Sequence, residues 1–109
     1  MTAADHQPLS TDLFWALAEE MIAGGAADEG TMMDTRCLRV NGEFLAMVFH
    51  KTDQLIVKLP RDRVTEVIAG GHGTEFKPAG RVFKEWLAVT DRDEDQWRGM
   101  LEEGREFVA

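Results

Sequence analysis

The sequence predicts a two-layer α+β domain: an antiparallel sheet of four to five strands with helices packed on it, in the order α-β-β-β-α-(β)-β-α. Three observations carry this. Apolar residues recur every three to four positions near both ends of the chain. Asn41-Gly42, between apolar runs, is the pattern of a tight β-hairpin turn. Strands joined by hairpins exclude a doubly wound parallel sheet. The 109 residues are expected to form a single domain, with residues 1–9 flexible.

The first helix is predicted over 11–23, where Leu13, Phe14, Leu17, Ala18, Met21 and Ile22 form one stripe. Ser10 or Thr11 can cap it and Gly24-Gly25 stops it. Trp15 lies off the stripe, at its edge or facing a partner. Three meander strands follow. The first is within 31–40, weakened by Asp34 and Thr35; the others are 43–50 and 54–59. In the second, alternation sets Phe44, Ala46 and Val48 against Leu45, Met47 and Phe49, so both faces are apolar and both should be covered. In the third, Leu55, Val57 and Leu59 oppose Ile56 and Lys58. Pro60 presets the φ of a short helix with Val64, Val67 and Ile68 inward, closed by Gly70-Gly71. A loop with a short strand at 75–77 leads to a strand over 83–90. Thr90 or Asp91 then caps a last helix with Trp97, Met100, Leu101, Gly104, Phe107 and Val108 on one face.

Charge narrows the function classes. The chain has 20 acidic and 12 basic residues, net −8, so a strongly basic nucleic-acid footprint is absent on average. The acidity is uneven: the bases Lys51, Lys58, Arg61, Arg63, Lys77, Arg81, Lys84 and Arg92 all lie within 51–92, which is mildly basic. No apolar run is long enough to span a membrane. The lone Cys37 can form no intrachain disulfide, which fits a reducing cytoplasm, and it reads as a buried, inert thiol. His6, His50 and His72 have no ligand partner at metal spacing, so neither metal nor cofactor is predicted. Gly70-Gly71-His72-Gly73 follows a helix and lacks the Lys-Ser/Thr of a phosphate loop. The pairs Glu19-Glu20 and Glu102-Glu103 sit on solvent-facing helix surfaces.

Met32-Met33-Asp34, Cys37, Val40-Asn41-Gly42-Glu43-Phe44-Leu45-Ala46, Leu59-Pro60, Phe76-Lys77-Pro78 and Gly80-Arg81-Val82-Phe83-Lys84-Glu85-Trp86 follow one another in a telling order. Together they resemble the TfoX N-terminal domain family, related in fold to YjbR-like proteins. That family runs a Met-Phe-Gly start, a VNG hairpin, an LP step and a GRPMKEY strand. Here Met33-Asp34 stands for Phe-Gly, Val82-Phe83 for Pro-Met and Trp86 for Tyr. The resemblance implies a bacterial protein with a sheet like that of type III secretion chaperones, and no defined activity. The second, helical domain of competence regulators is not among these residues, so their regulatory role does not transfer.

The segment Arg81–Trp86 is the best functional candidate, because a charge beside an aromatic can hold an anion or a flat ligand. Strand alternation sets Lys84 and Trp86 on one face, Phe83, Glu85 and Leu87 on the other, and Lys58 can join the first. The competing reading has Lys84 and Glu85 paired across the sheet and Trp86 in the core. The expected function is a non-enzymatic module that binds a protein partner or itself. The alternatives are a competence-related regulator touching nucleic acid indirectly, and a small-molecule protein or weak enzyme with a cleft near Gly80–Trp86.

Overall fold

The computed structural model describes residues 10–109; the expectations for residues 1–9 and His6 lie outside the described residues. The elements are α1 (Ser10–Ala23), β1 (Asp28–Met32), β2 (Thr35–Val40), β3 (Glu43–Phe49), β4 (Gln54–Lys58), α2 (Arg61–Ala69), β5 (Gly73–Phe76), β6 (Phe83–Val89) and α3 (Glu94–Val108). They form one open, wholly antiparallel sheet of six strands in the order β1-β2-β3-β4-β6-β5. The α+β class is as predicted, with six strands rather than four to five. Helix α2 carries the chain past one place in the sheet to β5, and β6 returns to fill it.

The additional strand is β1. Asp34 does not interrupt a strand; with Met33 it makes a two-residue turn, both at positive φ (61° and 52°), as a type I′ hairpin requires. Asp-Glu-Gly-Thr-Met has poor β propensity, so contacts from β2 hold it instead. Arg36 makes a bidentate pair with Glu29 at 2.8 and 3.1 Å, and Arg39 donates to the Thr31 carbonyl at 2.7 Å.

The alternation expected in β3 fails at one step. Leu38 faces Ala46, but Arg39 faces Phe44, so Leu45 is a bulged residue. Phe44 therefore joins Met47 and Phe49, while Leu45, Ala46 and Val48 lie on the opposite side. That side is covered by the helices, through Phe14, Leu17, Val64, Val67, Trp97 and Leu101. The other side gathers Cys37, Phe44, Met47, Phe49, Ile56, Phe76 and Ala88, edged by Met32, Phe83 and Trp86. Among the described residues no helix contributes to this second cluster; its own aromatic rings close it.

One cap differs from expectation, and Ser10 gains a tertiary partner. The Ser10 hydroxyl donates to the Asp53 carbonyl at 2.9 Å, tying α1 to the β3–β4 turn. Asp93, not Thr90 or Asp91, caps α3, accepting from the Gln96 amide at 2.9 Å. Asp91 lends its carbonyl to the Trp97 indole at 2.9 Å, which satisfies that buried N–H. Along α3, Trp97, Met100, Leu101 and Gly104 are buried, but Phe107 stays 38% exposed. Trp15 is half-buried beneath the Arg36 guanidinium, 3.9 Å from its ring centroid. No helix among the described residues is long and apolar enough to cross a membrane.

Candidate functional site

The unpaired cations locate the site. Arg36, Arg63, Arg92, Arg98 and Arg105 pair with Glu29, Glu66 and Glu103, Asp53, Glu20 and Glu94, and Glu102. Arg39 is spent on the Thr31 and Gly42 carbonyls. Among the described residues Lys58, Arg61, Lys77, Arg81 and Lys84 make no ion pair, and all five belong to the end of β4, the start of α2, the β5–β6 connection or the start of β6. Lys51, in the β3–β4 turn at the opposite end of β4, is the remaining one.

Local chemistry brings them together. Pro60, at φ −56°, leads into α2 and puts Arg61 in its first turn. Arg61, Val64, Thr65 and Ile68 are spaced as one helix face. Opposite them the connection turns through Ala79 and Gly80, at φ 53° and 82°, and delivers Arg81, Val82, Phe83 and Lys84. A slot of about 190 Å³ lies between the two walls, with Val64, Ile68, Val82, Phe83 and Trp86 as its apolar lining and Thr65 and Glu75 as further members. It opens into a shallow cleft of about 330 Å³ lined by Arg61, Arg81, Val82, Phe83, Lys84, Glu85 and Trp86.

Four of the sequence candidates, Arg81, Lys84, Glu85 and Trp86, thus line one cleft. Lys58 does not line it; it lies beside Trp86 in the β4–β6 register. Neither Lys84 nor Glu85 forms an ion pair among the described residues, and Trp86 is half-buried. The expected separation of Phe83 from Trp86 is wrong. The pairing jumps from Glu75–Leu87 to Phe76–Phe83, and the bulge turns Phe83 to within 4.8 Å of the Trp86 ring. Arg61 is the member that sequence reading missed as a site residue. It is remote in the chain, and its only signal was its place after Pro60 in the basic segment.

The Trp86 ring is stacked from within the sheet. Phe44 stacks on Trp86 at 4.1 Å and 14°, and Phe76 stacks on it at 5.6 Å and 12°. They come from strands on opposite sides of β6, so both indole faces are taken. The Arg81 guanidinium lies 5.3 Å from the Phe83 ring centroid. What the cleft offers is positive charge over an apolar slot.

No family model, curated protein or solved structure matches this chain.

Other groups are occupied structurally. Cys37 is fully buried, and burial pushes its thiol up against the opposing pull of Arg39, which disfavours the thiolate. A larger cleft of about 560 Å³ lies by α1 and the β1–β2 turn. Several of its polar groups are already engaged: His50 Nδ1 with Thr35 at 3.3 Å, Asp53 with Ser10 and Arg92, and Arg36 with Glu29. Among the described residues no three His, Cys, Asp or Glu side chains converge as metal ligands.

Magnitudes rank what the cationic cleft can do. One exposed ion pair is worth about 0–1 kcal/mol. Burying one Val, Leu or Phe side chain is worth about 1.5–3 kcal/mol. Charges of this kind can orient an anionic ligand at little net energy, while an apolar slot is where affinity can accumulate.

Proposed function

We propose that this chain is a non-enzymatic, cytoplasmic interaction module that recognises an acidic protein partner through the cleft between α2 and β6. One observation carries the reading: on a chain of net charge −8, three of the cations without ion pairs among the described residues, Arg61, Arg81 and Lys84, line one cleft. A neutralised surface would have paired them with the abundant acids, as it does elsewhere. The likeness of the Val40–Ala46 and Gly80–Trp86 segments to TfoX N-terminal domains supports a binding role of this kind and belongs to the same proposal.

Nucleic acid is the weaker reading. Single-strand binders stack bases on open aromatic faces, and both faces of Trp86 are covered. Duplex binding needs clustered cations against little opposing field, and the net charge is −8.

Fluorescence anisotropy with labelled octaglutamate, octalysine and an eight-residue thymidine oligonucleotide tests the proposal. Octaglutamate should bind, weaken as salt rises, and be lost on the triple variant Arg61→Glu, Arg81→Glu, Lys84→Glu, all exposed positions. Octaglutamate binding that survives the triple variant would sink the assignment. Preference for the oligonucleotide would restore the nucleic-acid reading.

A further inference from the structure

We infer that the partner segment presents one bulky aliphatic or aromatic side chain flanked on both sides by carboxylates, the side chain entering the slot between α2 and β6. This rests on the function proposed above and names the chemistry of its partner. The slot, about 190 Å³, accepts one such side chain and is too small for a helix. Its mouth is marked by Val82, one of three large apolar side chains left well exposed among the described residues, at 37%. Isolated exposed apolar residues are common; this one lines the slot together with Ile68 and Phe83.

The cations stand on both walls. Arg61 comes from the helix, and Arg81 and Lys84 come from the strand side. Glu85 on the rim and Glu75 in the slot reduce this charge without cancelling it. An aliphatic chain with a single carboxylate head would satisfy one wall. A peptide with acidic residues before and after its apolar residue satisfies both, so charge complementarity favours a protein segment over a fatty carboxylate. The same arrangement disfavours a uniformly acidic stretch, which would leave the apolar slot unfilled.

Two labelled peptides decide it: Glu-Glu-Leu-Glu-Glu and Glu-Glu-Gly-Glu-Glu, with octanoate as competitor. The leucine peptide should bind about tenfold or more tighter than the glycine peptide, the ratio expected for burying one such side chain. Val82→Trp, a substitution at an exposed site that fills the mouth and leaves the charges alone, should erase that ratio while the circular dichroism spectrum is unchanged. Octanoate at millimolar concentration should not displace the leucine peptide. Equal affinities for the two peptides would overturn the apolar anchor while leaving the acidic-partner reading intact. Displacement by octanoate would reassign the slot to a free carboxylate. Failure of both peptides together with octaglutamate would instead bring down the function proposed above.

Discussion

The Arg39 side chain lies against Gly30, although its register partner on β1 is Asp28. A Cβ built on Gly30 would sit 2.6 Å from both Cδ and Nε of Arg39, so the side chain occupies the space that any other residue would fill. From there its guanidinium reaches the Thr31 carbonyl at 2.7 Å and the Gly42 carbonyl at 2.8 Å. In the β1–β2 hairpin Met32 and Thr35 flank the turn as a hydrogen-bonded pair, so Thr31 directs its carbonyl outward. Arg39 therefore caps an acceptor on an edge strand, where unpaired backbone invites association.

Gly30→Ala should expel Arg39 and cost about 1–2 kcal/mol, near the worth of the charge-assisted bonds it breaks. Arg39→Ala should cost a similar amount. Urea unfolding of the double variant should give far less than the sum, because the two changes remove the same contact. Additive losses would show that the two residues act independently.

Two glycines of α3 should respond with opposite sign. A Cβ on Gly104 would meet the Lys58 carbonyl oxygen at 2.8 Å and Leu45 Cδ1 at 2.7 Å, so Gly104→Ala must lift the helix from the sheet. The cost should be about 1–3 kcal/mol, outweighing the gain in helix propensity. Gly99 has nothing within 4 Å of such a Cβ. Gly99→Ala should therefore stabilise by about 0.5–1 kcal/mol. Thermal melts of the two single variants check both.

Trp86 holds the helix-free face together by stacking on Phe44 and Phe76. Trp86→Ala should destabilise by about 2–4 kcal/mol, a little below the range for a fully buried tryptophan, because Trp86 is half-buried. Trp86→Phe should recover most of the loss in urea titrations. A neutral Trp86→Ala would show that the rings carry no part of the core.

Acid should weaken the fold through its surface pairs. Hydrogen bonds from Arg98, Arg36 and Arg105 hold Glu20, Glu29 and Glu102 below the usual carboxylate range, and His72 does the same for Asp91. A carboxyl depressed in the folded state contributes stability above its unfolded value and loses it as pH falls through the folded one. The urea midpoint should thus be level near neutrality and drop below the ordinary carboxylate range. Added salt should shrink the difference, since these groups are exposed. A midpoint that rises on acidification would contradict this.

The helices, the Asn41-Gly42 hairpin and Pro60 were legible because each rests on local chemistry: periodic burial, positive φ, a preset φ. β1 was not, since Asp28–Met32 has neither alternation nor propensity and is held by Arg36 and Arg39 from the next strand. The bulge at Leu45 was invisible for a different reason. Phe44 to Phe49 is apolar throughout, and an unbroken apolar run reads the same in either register. Of the cleft, the Arg81–Trp86 segment was legible as a charged aromatic strand, and Arg61 was not.

By itself, then, the order of residues determined an α+β chain with helices at both ends, a meander between them and a basic middle on an acidic whole. Only the tertiary structure decided which cations lose their partners and which aromatic faces are closed. Pairing depends on distances between residues far apart in the chain. Phe44, Phe76 and Trp86 come together only because β6 enters the sheet between β4 and β5. That same insertion sets Arg81 and Lys84 opposite Arg61.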